Sequence, residues 1–598
     1  MQTFKKLLFL LSNHEKKRAG LLVIMILILA LLDMIGVASI MPFIAVLTNP
    51  SLVETNLLLN YMYKASSVFG VQNNQEFLFF SGVFLFFILI FTLMFRAIVT
   101  YIQLRFIFLL EHSIGRRLVE GYLHQPYSWF LNRHSADLGK SILSESGKIA
   151  GRGLGNLMDL IAKSTVTIAI VILLIVIDPK LAFIVGLSLS IVYVLIYYSF
   201  NKYLKKIGKE SLKNNQLRFT AVSEAFGAVK EIKVGGLEQT YINNFSISSK
   251  IFALTQAYVS AIAQLPRFFL ECIGFGGVLL IILYSMSDTG SFNNALPIIS
   301  VYVFAGYRLL PALQQMYSSF TQLTFVVPSL DELNNDLRNL QSLKKSLGQI
   351  KLAFNKTITL KNIHYNYPNS SIKALKNISI NIPINSTIGL VGATGSGKTT
   401  LIDVILGLLE PQKGSLEVDG KVITKLNTRS WQRYIGFVPQ HIYLSDDTVA
   451  ANIAFGIDQK DINQGAVERA SKIASLHEFI KDELPMRYQT TIGERGIRLS
   501  GGQRQRIGIA RALYHDPKVL IFDEATSALD GATEKIVMDA INNLRKDVTI
   551  IIIAHRLSTV KRCDKIYVLE KGNLKAQGNF DELINLDSQF RENVKNSF

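Results

Sequence analysis

The polarity pattern divides the chain in two. Over roughly the first 325 residues, apolar positions form unbroken runs near 20–47, 77–102, 155–177, 181–200, 268–287 and 295–318. An α-helix needs ~20 such residues to cross the ~30 Å hydrocarbon core of a bilayer, so six spans are expected. The connections alternate in character. Links 48–76, DPK after Ile177, and Ser287 to Asn294 hold few basic residues. Links 103–154 and 201–267 are long, polar and basic, and Lys202, Lys205, Lys206, Lys209, Lys213, Lys230 and Lys233 fall in the second. Lys and Arg collect on the cytoplasmic side. The long links are therefore expected in the cytoplasm, and with an even number of crossings both chain ends join them.

These inner links are too apolar for disorder and read as helices continuing beyond the bilayer. Each holds a mixed or aromatic turn, PYSWFLNRHSADL (Pro126 to Leu138) and EAFGAVKEIKVGGLEQTYINNF (Glu224 to Phe245). Exposed apolar tips such as Trp129 and Phe130 as a rule have a partner. Before the first run, MQTFKKLLFLLS mixes Lys5 and Lys6 with Phe4, Leu7, Leu8, Leu10 and Leu11, the make-up of a short helix lying on the membrane surface. TNLLLNYMYKASSVFGV, in the first outer link, suits either an amphipathic helix on the outer leaflet or a packed loop.

After Pro328 the polar DELNNDLRNLQSLKKSL reads as a helical linker. From about residue 350, short β-rich runs alternate with helices: ITLKNIHYNY, IKALKNISINI and STIGLVG, then a helix from Lys398. KVLIFD, VTIIIIAH and KIYVLEKG are apolar runs bounded by polar turns, as in the buried strands of an α/β sheet. The expected organisation is an α-helical membrane domain with six transmembrane helices (1–325), a helical linker (326–349) and a cytoplasmic α/β domain (350–598).

Composition agrees. The 598 residues exceed one ordinary domain, and 49% hydrophobic content with a mean hydropathy of +0.29 is unusual for a soluble protein. The formal charge of +18 raises nucleic acid as a partner, but basic inner links account for it, so no nucleic acid is expected. Two cysteines, Cys272 and Cys563, make neither a disulfide framework nor a zinc cluster. The first apolar run is too long for a cleavable signal core.

The soluble part carries the chemistry. GATGSGKT, Gly392 to Thr399, follows an apolar strand and opens a helix, which is P-loop spacing. Its backbone, through Gly392, Ala393, Thr394, Gly395, Ser396 and Gly397, wraps nucleotide phosphates. Lys398 reaches their outer oxygens, Thr399 offers a hydroxyl to Mg²⁺, and Thr400 continues the helix beside the site. Asp523 in VLIFDE ends a strand and can hold Mg²⁺ through water, and Glu524 is placed to orient or deprotonate the attacking water. His555 closes VTIIIIAH where an imidazole could bond the γ-phosphate. Gln440 ends YIGFVPQ with an amide able to sense metal and water. Tyr367, in HYNYP, offers a flat face to an adenine ring or is a surface tyrosine.

A second anion clamp follows a hundred residues on. In LSGGQRQRIGIARAL, Leu499 to Leu513, Gly501 and Gly502 begin a helix whose first N–H groups point at an anion. The P-loop already surrounds one nucleotide, so Ser500, Gly501, Gly502 and Gln503 must complete another copy's site. A homodimer docked head to tail, with two ATP molecules at the interface, is the simplest arrangement.

The six-span domain, P-loop, Gln440, LSGGQ, VLIFDE, SALD (Ser527 to Asp530) and His555 together strongly resemble an ABC transporter of the half-transporter exporter type, across essentially the whole chain. The resemblance implies ATP and Mg²⁺ as cofactors, adenine stacking by Tyr367, and a γ-phosphate clamp from Ser500 and Gly502 of the opposing copy. It places Asp530 in the loop joining the two sites. TIGERG (Thr491 to Gly496) would touch the inner loops, and 126–138 and 224–245 would be coupling helices. Two departures are His441, where an acidic residue is common, and Ser445, where an aromatic is usual. FRAIVTYIQ (Phe95 to Gln103), LPRFFLECIGF (Leu265 to Phe275) and YRLLPALQQ (Tyr307 to Gln315) resemble PglK-type flippases of lipid-linked oligosaccharides.

Arginine inside an apolar span is costly, so Arg96, Arg267 and Arg308 need a reason. Counted along their helices they fall toward the cytoplasmic leaflet, where a lipid diphosphate would enter, and a guanidinium fork pairs two phosphate oxygens. The competing account pairs Arg267 with Glu271, four residues on, and lets the others snorkel to headgroups. The expected activity is ATP-driven flipping of a diphosphate lipid across the bacterial inner membrane; export of peptides, other lipids or drugs is the alternative.

Overall fold

Each apolar run lies in helix, and most of these helices outlast it. The computed structural model describes residues 2–48, 52–55, 57–177, 179–288, 292–340, 352–368, 373–493, 496–524, 531–543, 547–554 and 557–595. Among the described residues the six long helices are α1 (Asn13–Ala38), α2 (Asn74–Leu123), α3 (Asn156–Ile177), α4 (Pro179–Gly227), α5 (Glu238–Asp288) and α6 (Phe292–Asn339). α2, α4, α5 and α6 have 50, 49, 51 and 48 residues. At 1.5 Å per residue that is ~70–75 Å, more than twice a hydrocarbon core. Among the described residues, Asn13–Ala38, Asn74–Leu123 and Ser135–Val176 are long and apolar enough to cross a membrane.

The first run differs from expectation by dividing. α1 stops at Ala38, and a second helix covers Ile40–Thr48. Pro42, near the start of the second helix, has no N–H to offer the Ala38 carbonyl. Ser39 closes the break: its hydroxyl donates to Gly36 O at 3.1 Å. The segment Gln2–Leu10 is helical, as its pattern implies, with Leu7 and Leu10 buried against the protein.

Two compact units emerge, residues 1–125 with 132–342, and residues 126–131 with 343–598. In the first, α4 packs on α5, α3 on α6, and α1 on both α2 and α3. Gly208 permits a close approach, since a Cβ there would fall 2.4 Å from the Phe325 carbonyl oxygen. The unit also buries charged groups with partners: Lys140, 1% exposed, reaches Glu332 at 2.9 Å, and Glu145 accepts from the Asn215 amide at 2.8 Å.

The second unit holds two sheets. β2 (Lys373–Pro383), β1 (Thr357–Asn366), β4 (Lys413–Val418) and β5 (Lys421–Val422) pair in that order, all antiparallel. The larger sheet runs β10 (Asn573–Gly578), β9 (Lys565–Glu570), β3 (Thr387–Val391), β8 (Thr549–Ile553), β7 (Val519–Asp523), β6 (Ile435–Val438), parallel from β9 onward. Every residue of β3, β7 and β8 is buried, which explains why these strands are unbroken apolar runs without alternation. Helix α7 (Lys398–Ile405) packs in one core with Trp431, whose indole N–H donates to Ile405 O at 2.7 Å. Helix α8 (Gly501–Leu513) belongs to a second core with Phe522 and Ile552.

Candidate functional site

Register along the parallel sheet collects the chemistry. Leu390 of β3 lies opposite Ile553 of β8, Ile553 opposite Asp523 of β7, and Phe522 opposite Val438 of β6. The residues just beyond these carboxyl ends, Gly392, Glu524 and Gln440, therefore share one edge, where open α/β sheets bind ligands. His555 follows β8 at the same edge in sequence but lies outside the described residues, as do Ser527 to Asp530, Glu494, Arg495 and linker positions 341–349.

The P-loop is tight enough to require its glycines. Gly392, Gly395 and Gly397 have φ of 158°, 78° and 103°, and a Cβ on Gly392 would sit 2.3 Å from Leu569 O. Lys398 Nζ donates to the carbonyls of Gly392 at 2.7 Å and Ala393 at 3.1 Å, so the ammonium is held inside its own loop. Burial pulls the ammonium down from its usual range, while Glu524 and Asp523 favour its charge. Ser396 Oγ is buried without a hydrogen-bond partner, whereas Ala393, Thr394, Gly395 and Thr399 are exposed. An orphaned buried hydroxyl in a glycine-rich loop that opens a helix fits a phosphate, so the loop suits a nucleotide. Tyr367 lies edge-on to Tyr365 at 5.2 Å, and its hydroxyl is 3.0 Å from Thr400 Oγ1.

Glu524 takes a left-handed φ of 50° directly after β7. Gln440 Nε2 donates to its Oε2 at 2.7 Å, so the two residues named from separate motifs meet. Asp523 is 9% exposed behind them. Hydroxyl, amide and carboxylate oxygens from Thr399, Gln440 and Asp523 are hard donors of the kind Mg²⁺ takes. In α7, burial, reinforced by Asp523, pushes the Asp403 carboxyl up to about 6.

The signature helix begins with a reciprocal cap. Ser500 Oγ accepts the Gln503 N–H at 3.2 Å, and Gln503 Oε1 accepts the Ser500 N–H at 2.8 Å. Gln503 thus serves its own helix, while the Gly501 and Gly502 N–H groups have no acceptor within it. Arg511, one face along α8, donates to Asn452 O and Tyr443 O at 2.8 Å each and stacks on Phe455 at 4.4 Å. It ties the signature helix to the segment after Gln440. The unusual Ser445 is part of that segment, held by the fully buried Asn452, which accepts from its N–H and hydroxyl at 3.0 and 3.2 Å.

In the membrane unit, Arg96 and Arg308 come to one carboxylate that the motif reading overlooks. Asp33 of α1 is 4% exposed; Arg96 Nη2 reaches its two oxygens at 2.6 and 2.7 Å, and Arg308 Nη1 stands 3.5 Å away. Arg267 makes its ion pair with Glu271 at 2.7 Å on the same helix. Asp159 of α3 accepts from Gln103 at 2.7 Å and Gln315 at 3.4 Å, and Lys163, one turn on, is electrostatically coupled to Asp33, Asp159, Arg96 and Arg308. A lone acid in an apolar run was the available signal for Asp33.

A P-loop nucleotide-binding unit and a bundle of long apolar helices on one chain define the class of nucleotide-driven membrane transport proteins. Comparison with known proteins places it further: residues 375–527 match the ABC transporter family model and residues 20–305 the ABC transporter transmembrane region. The chain is 30% identical over 476 residues to an ATP-dependent lipid A-core flippase of Cupriavidus metallidurans, covering 78% of each. It is also 30% identical over 474 residues to the mitochondrial ATP-binding cassette sub-family B member 10 of Mus musculus, covering 78% of this chain and 66% of that one. The structure of a bacterial Atm1-family ABC exporter with ATP bound superposes with a TM-score of 0.78 at 21% identity, over 98% of this chain and 99% of that one. The chain belongs to the ABC transporter family, as a half-transporter of exporter type that couples ATP hydrolysis to transport.

Proposed function

We propose that the chain flips a lipid with a phosphate-bearing headgroup, such as a lipid-linked oligosaccharide, from the cytoplasmic to the outer leaflet of a bacterial inner membrane. The observation that carries this reading is the meeting of Arg96 and Arg308 within the apolar part of the helix bundle. Fixed cations there suit an anionic headgroup and disfavour an apolar drug. The relatives named as lipid A-core flippases support a lipid cargo. Residues 1–325 form the membrane domain in this reading, 326–349 a linker and 350–598 the ATPase.

The chain acts as a homodimer. Lys398 offsets phosphate charge while the P-loop N–H groups donate to the phosphate oxygens, Tyr367 stacks on the adenine, and Thr399, Gln440 and Asp523 would hold Mg²⁺, which would offset negative charge on those oxygens. Glu524, held by Gln440, takes the proton of the attacking water, and His555 orients the γ-phosphate. Ser500, Gly501 and Gly502 of a second copy close the site. ATP binding draws the two ATPase domains together, segments 126–138 and 224–245 carry that motion into the spans, and hydrolysis resets the cycle.

Proteoliposomes test this. Lipid-linked oligosaccharide should stimulate ATPase activity and be flipped, whereas peptides and hydrophobic drugs should do neither. Stimulation by drugs and not by the lipid would establish the alternative, an exporter of peptides or hydrophobic compounds.

A further inference from the structure

We propose that Asp33 is a built-in counter-ion that trims the hold of Arg96 and Arg308 on an anionic headgroup, so that the headgroup can leave after it has been carried across. The inference rests on the phosphate-lipid reading above and names the residue that sets its affinity.

The geometry is asymmetric. The Asp33 side chain is 3% exposed, while those of Arg308 and Arg96 are 19% and 34% exposed. The acid is therefore the most deeply buried member of the group, and both cations keep part of their surface uncovered. A carboxylate at this depth is tolerable only when paired, and two guanidinium groups pair it. Arg96 gives Asp33 a single nitrogen, Nη2, whereas a guanidinium carries five N–H donors in a fork. Contact with Asp33 thus orients the fork without using it up. An arriving phosphate meets two cations already partly neutralised by Asp33.

Transport needs that moderation. A site must bind well enough to be entered and weakly enough to be left. Two unscreened arginines in a low-dielectric bundle would retain a diphosphate, because attraction there is several times stronger than in water. Asp33, within 3.5 Å of both, opposes the same anion they attract. Asp159 and Lys163 extend the cluster but add opposite charges, leaving Asp33 as the acid in ion-pair contact with both arginines among the described residues.

The test uses the full-length protein in phosphatidylcholine vesicles, with a polyprenyl diphosphate lipid as probe and the polyprenyl alcohol as its neutral counterpart. Asp33→Asn should lower the half-saturating diphosphate lipid concentration for ATPase stimulation by about tenfold and reduce the maximal flipping rate, in the range typical of coupled sites. A structural ion pair alone would not split the two parameters in opposite senses. An unchanged or higher half-saturating concentration, with the original protein still stimulated, overturns the counter-ion and leaves the lipid reading intact. Equal response of the original protein to diphosphate and alcohol overturns both. The double change Asp33→Arg with Arg96→Asp keeps the pair and the net charge while exposing the acid. It should elute as an intact dimer yet lose the preference for the diphosphate; full retention of that preference overturns the proposal. Failure of both variants to fold assigns the pair to structure alone and likewise overturns it.

Discussion

Changing Asp403 to Asn gives a stability effect with a definite pH signature. The carboxyl stands on α7, one turn beyond the P-loop lysine, and faces Asp523 as well as Tyr365 and Tyr127, the last from the segment 126–131 that belongs to the same unit. Burial and the neighbouring Asp523 raise it from 3.8 to about 6. A carboxyl raised on folding favours the folded state while protonated, below pH 3.8, and that contribution is lost as the pH climbs through about 6. Above pH 6 the folded protein holds an ionised group that burial disfavours. The full shift corresponds to about 3 kcal/mol at 1.36 kcal/mol per unit, and screening at this half-buried position reduces that to about 1–2 kcal/mol. Asn has the same shape and no charge. Thermal unfolding of the full-length protein and of Asp403→Asn should therefore coincide near pH 4 and diverge between pH 4 and 6, with the variant more stable from pH 6 upward. A variant less stable at pH 7, or a difference constant across the titration, would refute the reasoning.

Glu524→Gln should retain ATP, measured by filter binding, while hydrolysis falls by about 10²-fold to 10⁴-fold, as expected for removal of a general base; ordinary turnover would remove Glu524 from that role. Arg511→Ala deletes two 2.8 Å hydrogen bonds to backbone carbonyls and the contact with Phe455, so it should cost about 2–4 kcal/mol, read as a lower unfolding temperature. Arg511→Lys, which cannot span both carbonyls, should recover less than half of that. Gly208→Val would drive a side chain against the Phe325 carbonyl and should destabilise the helix bundle by about 1–3 kcal/mol, seen as earlier aggregation on heating.

The features legible in the sequence are those that local chemistry dictates. β3, β7 and β8 are buried throughout, so their apolar runs announce themselves. The P-loop needs left-handed glycines, and the sequence places them at fixed spacing. The pairing of Arg267 with Glu271 was open to inspection because helical neighbours four residues apart share a face. Asp33 was legible only as an acid inside an apolar run; its pairing was not, because the partner Arg96 lies 63 residues away on another helix. Gln503 shows a competition between two local rules: LSGGQ reads as a phosphate contact, yet S-x-x-Q also spells a capping box, and the side chain takes the second option. Asp403 has no motif at all, because its raised proton affinity comes first from burial and then from Asp523, and both exist only in the folded domain.

The reciprocal cap at Ser500 and Gln503 bears on the timing of assembly. Because these two residues fasten the entrance of α8 to itself, that surface is rigid before any nucleotide presents itself. Little disorder need be quenched there at closure, so the entropic toll of association falls elsewhere. In the proposed homodimer, preorganisation of this kind lowers the ordering cost of bringing the two copies together.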